Sequence, residues 1–286
     1  MRTGDLRSWV AGRSRVLAPS TLHVVSSWVR AILSSAVDDG LIAVSPWRNI
    51  ALPRIVREQV EPWPTDTVLA LIDAVDERYR AAVVLAAGTG LRQGEMFGVD
   101  LADVDFLRRQ ITVRRQVRRV GGVSEFGPTK SRRTRTIPLP DIVTEALSLH
   151  VKHHPPVEVT LPWVDPDGPS RTQRLLFVGG RGAALRRDEF NRRVWHPALR
   201  SLGTEPTRAT GMHQLRHYYA SVLIDAGESP KVIQQRLGHA SVSVTFDVYG
   251  HLFPESEDRT RAAVDGALGR SVTERSAGIL RDHNAT

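Results

Sequence analysis

The chain has 286 residues, of which 41% are hydrophobic and 24% charged. That composition suits a globular chain with room for one large or two modest cores. No apolar run reaches the ~18 residues of a membrane-spanning helix, and the charged first twenty residues argue against a signal peptide. The absence of cysteine excludes disulfides, thiolate metal sites and cysteine nucleophiles, and fits a reducing cytoplasm.

The net charge is +8, from 39 basic against 31 acidic residues. Only Lys130, Lys152 and Lys231 are lysines. The charge is concentrated: residues 101–140 hold ten basic side chains against Asp103, Asp105 and Glu125, a local excess of seven. The cluster includes Arg114, Arg115, Arg118, Arg119, Arg132 and Arg133. A basic surface of that density suits a polyanion such as double-stranded DNA; on charge alone a solvated strand face explains it equally well.

Taken in order, the chain reads as mostly α-helical with a small antiparallel β-sheet, an α+β organisation. A short helix starts near Asp5 or Ser8. A longer one is predicted over 20–39, with Leu22, Val25, Val29 and Leu33 at helical spacing and Gly40 as its stop. Pro53, Pro62 and Pro64 mark a linker. The expected division is a helical domain over 1–58, a linker over 59–64, a larger domain over 65–268 and a flexible tail over 269–286. In the larger domain, helices are predicted over 65–75 and 78–87, with a break at Gly88-Thr89-Gly90 and a new helix near Leu91. Strands are predicted over 110–119 and 130–138, with a turn at Gly121-Gly122. A helix over 140–153 follows, then a proline-rich loop over 155–173 and a short strand over 175–178. Helices dominate from Asp188 onward.

Five segments carry chemistry. In Thr89-Gly90-Leu91-Arg92-Gln93-Gly94-Glu95, Arg92 and Glu95 share a helix face at a helix start, a place suited to phosphate but equally to a surface ion pair. Lys130 follows Gly127-Pro128-Thr129; a lysine can give up its proton where an arginine cannot. His213, Arg216 and His217 share a face of one helix. Their H-x-x-x-H spacing is a weak zinc signal, because Gln214 stands where a zincin has glutamate; His217 reads as buried and structural. His239 follows a glycine cap at Gly238. Tyr249, between polar residues and a glycine, is the tyrosine expected to be accessible for chemistry. Together these groups match the needs of phosphoryl transfer without a metal. Two arginines neutralise phosphate oxygens, a lysine protonates the leaving alkoxide, a histidine takes a phenolic proton and a tyrosine attacks.

Five motifs in this order resemble the tyrosine recombinase (phage integrase) family, especially integrases of actinobacterial phages and mobile elements. They are T-G-L-R-Q-G-E at 89–95, K-S-R-R-T-R-T-I-P-L at 130–139, H-Q-L-R-H-Y-Y-A-S at 213–221, L-G-H-A-S at 237–241 and T-F-D-V-Y-G-H-L at 245–252. The resemblance covers roughly residues 5–268. It implies a helical core-binding domain followed by a catalytic domain, and a site-specific recombinase that cleaves and rejoins duplex DNA through a 3′-phosphotyrosyl intermediate. Arg92 and Arg216 are then phosphate clamps, Lys130 the general acid, His213 the acid/base at the nucleophile, His239 a phosphate ligand and Tyr249 the nucleophile. Glu95 and His217 support them from behind. The resemblance implies no cofactor and no metal. The implied partners are attachment-site DNA, a homotetramer on synapsed duplexes and accessory bending or directionality factors; no membrane is involved.

Two alternatives stay open: a DNA-binding regulator without catalysis, and an integrase remnant that binds DNA but does not exchange strands. The remnant reading comes from the N-terminus, where the first helices of the core-binding unit are expected to be missing. It predicts an exposed stripe along Leu22, Val25, Val29 and Leu33. A local conflict concerns Val242, Val244, Phe246 and Val248, which alternate like a strand where the resemblance puts a short helix.

Overall fold

The computed structural model describes residues 1–55, 59–253 and 260–268. The chain divides into two compact units, Met1–Glu58 and Gln59–Thr286. The tail expected over 269–286 lies outside the described residues.

The first unit holds two helices, α1 (Thr3–Arg13) and α2 (Pro19–Asp38). Pro19 opens α2 at a position where its missing N–H costs nothing. The predicted exposed stripe is not exposed: Leu22 and Leu33 are buried, and Val25 and Val29 are half-buried. The segment after α2 folds back along it, tied by a hydrogen bond between His23 Nε2 and the Pro53 carbonyl. The solvent-facing apolar residues lie on another face, Val24, Trp28 (65% exposed) and Ile32 (68%) at four-residue steps.

The second unit begins with α3 (Thr65–Ala74), α4 (Glu77–Thr89) and α5 (Gln93–Phe97). Strands β1 (Val104–Asp105), β2 (Gln110–Val113) and β5 (Arg135–Pro138) form an antiparallel sheet in the order β1-β2-β5. A separate hairpin pairs β3 (Arg115–Val120) with β4 (Val123–Pro128) across the Gly121-Gly122 turn. The predicted strand over 110–119 is thus broken at Arg114. The predicted strand over 130–138 is a loop until Arg135, because Thr129 Oγ1 donates to the Arg133 carbonyl and closes a turn.

Helix α6 (Asp141–His153) packs on α4. The expected loop over 155–173 contains a second hairpin, β6 (Val157–Pro162) with β7 (Ser170–Leu175). Its prolines flank the strands or end them, where no ladder N–H is lost. The expected strand over 175–178 reduces to Leu175, the end of β7, and an isolated antiparallel bridge from Val178 to Ala184. Helix α7 (Arg187–Phe190) runs through a π-type turn at Asn191–Trp195 into α8 (His196–Ser201). The chain then forms α9 (His213–Asp225), α10 (Pro230–Leu237) and α11 (Val242–Tyr249).

Val242–Val248 is therefore helical. Thr245 and Tyr249 are buried four residues apart, while Val244 and Phe246 face solvent, so the alternation was not a burial pattern. The main core joins Leu85, Met96, Phe97, Ile111, Phe126 and Trp195. A smaller one joins Tyr219, Ile233, Leu237 and Tyr249. Trp63, in the predicted linker, stacks on Trp195 with ring centroids 6.2 Å apart.

Candidate active site

Two helix ends build the floor of the site. Gly90 caps α4 at φ +63° and Gly238 caps α10 at φ +65°, the left-handed conformation that favours glycine. Neither position has room for a side chain. A Cβ at Gly90 would lie 2.6 Å from the Tyr219 ring, and one at Gly238 would lie 3.1 Å from the Arg135 side chain. Helix ends leave carbonyls without intrahelical partners. Here Arg216 supplies the donors: Nη1 donates to the Gly90 carbonyl at 2.8 Å and Nη2 to the Leu237 carbonyl at 2.6 Å. Arg216 is only 1% exposed. Burial and then the charge of Arg92 lower its pKa to about 9, which leaves it cationic at neutral pH. The negative ends of the two helices favour that charge.

Arg92 precedes α5. Its backbone N–H donates to Glu95 at 3.1 Å, and its Nη1 meets the other carboxylate oxygen at 3.1 Å. Glu95 is buried and receives a second arginine, Arg135, through Nη1 at 3.1 Å and Nη2 at 2.6 Å. Burial alone would raise the Glu95 pKa. The Arg135 hydrogen bonds and charge, with Arg92 behind them, outweigh it and hold the carboxylate below its usual range. Arg135 Nε also donates to the Arg236 carbonyl at 2.9 Å. One guanidinium thus ties β5 to Glu95 and to the turn that carries His239. In the sequence Arg135 is one of the ten basic residues of 101–140 and nothing sets it apart. Its role is the one the motif reading missed, although it stands within the 130–139 motif.

Tyr249 ends α11. It is 1% exposed, so the expected accessible tyrosine is instead buried among its partners. Its hydroxyl lies 2.9 Å from His217 Nδ1, and its ring stacks on His239 with centroids 6.3 Å apart and planes 12° apart. Burial pushes its pKa up to about 12 against the pull of Arg216 and Arg92. His239 Nδ1 bonds Thr245 Oγ1 at 2.9 Å, which leaves Nε2 for another partner. Gln234 Nε2 donates to the His239 carbonyl at 2.8 Å and fixes the turn. His217 is half-buried rather than buried, and it touches the tyrosine oxygen directly.

Burial and then Arg216 lower the His217 pKa to about 4; burial and then Arg216 and Arg92 lower that of His239 to about 3. His213 is exposed and meets His217 edge to face at 4.7 Å. Its pKa also lies below the histidine range, through loss of solvation on the side that faces the site and then through His217, Arg216 and Arg92. Among the described residues, no three His, Asp or Glu side chains are grouped as a metal site requires.

Lys130 stands apart. It is exposed on the 129–134 loop with Arg132 and Arg133, and the side chains of these three have no hydrogen-bond or ion-pair partner among the described residues. The other arginines of the basic segment are engaged. Arg115 is largely buried against Asp103 and the Gly98 carbonyl, so it is not a surface cation. Arg114 also faces Asp103, at 3.3 Å. Arg118 holds Glu125 and the Val164 carbonyl, and Arg119 reaches the Gly122 carbonyl and Asp188.

The phage integrase family model matches residues 64–256, two-thirds of the chain. The chain belongs to the phage integrase family. It is similar to a tyrosine recombinase XerC-like protein of Caldanaerobacter subterraneus, 25% identical over 254 residues, covering 83% of this chain and 63% of that relative. The ICEBs1 integrase of Bacillus subtilis is 24% identical over 255 residues, covering 88% and 67%. The chain thus spans about two-thirds of the length of these relatives. Among solved structures, the Tn1549 transposon integrase in complex with transposon right end DNA superposes with a TM-score of 0.75 at 22% identity, covering 93% of this chain and 85% of the other. The helical catalytic fold with small antiparallel sheets is the fold they share.

Proposed function

We propose that this protein is a site-specific DNA recombinase of the integrase type. The observation that carries the reading is the Tyr249 hydroxyl held 2.9 Å from His217 Nδ1, with His239 stacked on the same ring and the charges of Arg216 and Arg92 acting on that hydroxyl. Tyr249 Oη attacks the scissile phosphorus, and the O5′ leaves, forming a 3′-phosphotyrosyl link. Arg216 and Arg92 neutralise the nonbridging oxygens as charge develops. His239, anchored at Nδ1 by Thr245, directs Nε2–H to a phosphate oxygen. One of the α9 histidines takes the phenolic proton. Lys130, on its exposed loop, protonates the leaving oxygen once DNA brings it in. The link keeps the energy of the phosphodiester, so rejoining needs no nucleotide.

The wider reading places the enzyme in the cytoplasm, acting as a homotetramer on two synapsed attachment-site duplexes, with bending or directionality factors as partners. Among the described residues no helix is long and apolar enough to cross a membrane. The test uses duplexes selected from a randomised pool by affinity for the chain and then nicked beside the scissile phosphate. Cleavage releases a short strand that cannot religate. A denaturation-resistant protein–DNA adduct, formed without ATP, supports the reading. Tight, sequence-selective binding with no adduct overturns it in favour of a non-catalytic regulator.

A further inference from the structure

The geometry points to His217, not His213, as the group that accepts the phenolic proton of Tyr249 during cleavage and returns it during rejoining. This deepens the recombinase reading and rests on it.

His217 Nδ1 is 2.9 Å from the Tyr249 oxygen, within the range in which a proton moves directly. His213 is one turn earlier on α9, exposed, and has no hydrogen-bond partner among the described residues. Its ring packs edge to face on the His217 ring rather than on the tyrosine. The rings of His217 and Tyr249 meet at 66° with centroids 5.6 Å apart, so the hydroxyl approaches the imidazole edge rather than its face.

The neutral state of His217 also fits. Burial and the charge of Arg216 keep the imidazole unprotonated at neutral pH. In the tautomer with its proton on Nε2, Nδ1 has a lone pair to accept with. A resting imidazolium could not take the proton. As the Oη–P bond forms and the P–O5′ bond breaks, the phenol proton passes to Nδ1 and gives an imidazolium. The phosphate that has entered between Arg92 and Arg216 offsets their positive field and stabilises that cation. Lys130 supplies the separate proton that the O5′ needs. When the 5′-hydroxyl attacks in reverse, the His217 proton returns to the departing tyrosine oxygen. This assignment leaves His213, at the open edge, for contact with the phosphate.

The experiment uses the full chain and the nicked duplex described above. His217→Asn keeps an acceptor oxygen near the position of Nδ1 but cannot take a proton. Adduct formation is expected to slow by about 10²–10⁴, with DNA affinity close to that of the unsubstituted chain. A second measurement separates proton transfer from misplacement. Difluorotyrosine at position 249 has a more acidic phenol and depends less on a base. With it, the penalty of His217→Asn should shrink at least tenfold, whereas the penalty of His213→Asn should stay constant.

The inference is overturned if His217→Asn cleaves within about threefold of the unsubstituted chain. It is also overturned if difluorotyrosine leaves its penalty unchanged, or relieves His213→Asn instead. If the unsubstituted chain forms no adduct, the recombinase reading fails, and this assignment with it. An adduct that forms normally but ignores His217 overturns this assignment alone.

Discussion

Tyr249, Arg216, His217, His239 and Glu95 lie in packed structure, held by helix caps and by arginines that are themselves bonded. The side chains of Lys130, Arg132 and Arg133 are exposed on a loop and have no partners among the described residues. The side chains of the first region are held in place by their partners; the basic side chains of the second are left for a polyanion to engage. The difference follows the chemistry. A phosphate clamp gains from being rigid before the charge develops. A general acid that serves a leaving oxygen can be delivered by the substrate. Substitutions in the packed region should therefore lower both stability and rate, and substitutions in the loop should lower rate or affinity alone.

The largest expected effect concerns the loop. Lys130→Ala should slow cleavage by about 10²–10⁴ without moving the melting temperature. A bridging 5′-sulfur at the scissile position, whose leaving group needs no proton, should restore most of that loss. An equal defect on both substrates would make Lys130 a phosphate contact and remove the functional half of the contrast.

Arg216→Lys tests the packed half. Lysine keeps a charge but cannot span the Gly90 and Leu237 carbonyls and face a phosphate together. Cleavage should fall by about 10²–10³, and the stranded carbonyls should cost about 1–3 kcal/mol of stability. A variant that loses rate with unchanged stability would show that Arg216 is not part of the framework.

Salt dependence sharpens the comparison further. Replacing Lys130, Arg132 and Arg133 with alanine should flatten the log–log salt dependence of DNA affinity by up to about 0.9 per residue. Replacing Arg114, Arg115, Arg118 and Arg119 should flatten it less and lower the melting temperature more, since their charges already face Asp103, Glu125 and Asp188. The reverse ranking would return the DNA contact to the hairpin arginines.

Acid stability probes the packed region alone. His217 and His239 titrate at about 4 and 3 in the folded chain against 6.5 for a free histidine. Below pH 6.5 the unfolded state therefore binds more protons, and stability falls as pH falls through that window. Melting temperatures from pH 7.5 to 4.5 should decline, and His217→Asn should flatten the decline. Identical slopes would mean that His217 is not held neutral by the fold.

The reacting groups were legible in the sequence because phosphoryl transfer demands particular side chains, and five short motifs carry them in a fixed order. Their mutual contacts were not. Glu95 and Arg135 are forty residues apart, and His217 and Tyr249 thirty-two. No local periodicity reports a bond across such a distance. The β6–β7 hairpin was hidden by its prolines, which flank strands as readily as they fill loops. On α2 the spacing of Leu22, Val25, Val29 and Leu33 correctly marked a helix face. Whether that face is covered depends on tertiary packing, which spacing does not encode. On α11 the alternation of Val242, Val244, Phe246 and Val248 was outweighed by the burial of Thr245 and Tyr249.

The central claim is that the tyrosine oxygen seated against His217 is the one that bonds to DNA. The direct measurement is peptide mapping of the adduct trapped on the nicked duplex, with Tyr249→Phe alongside. The account predicts a nucleotide remnant on the peptide that contains Tyr249, and no adduct from the phenylalanine variant although it still binds DNA. An adduct that persists in Tyr249→Phe, or that maps to Tyr218 or Tyr219, would contradict it.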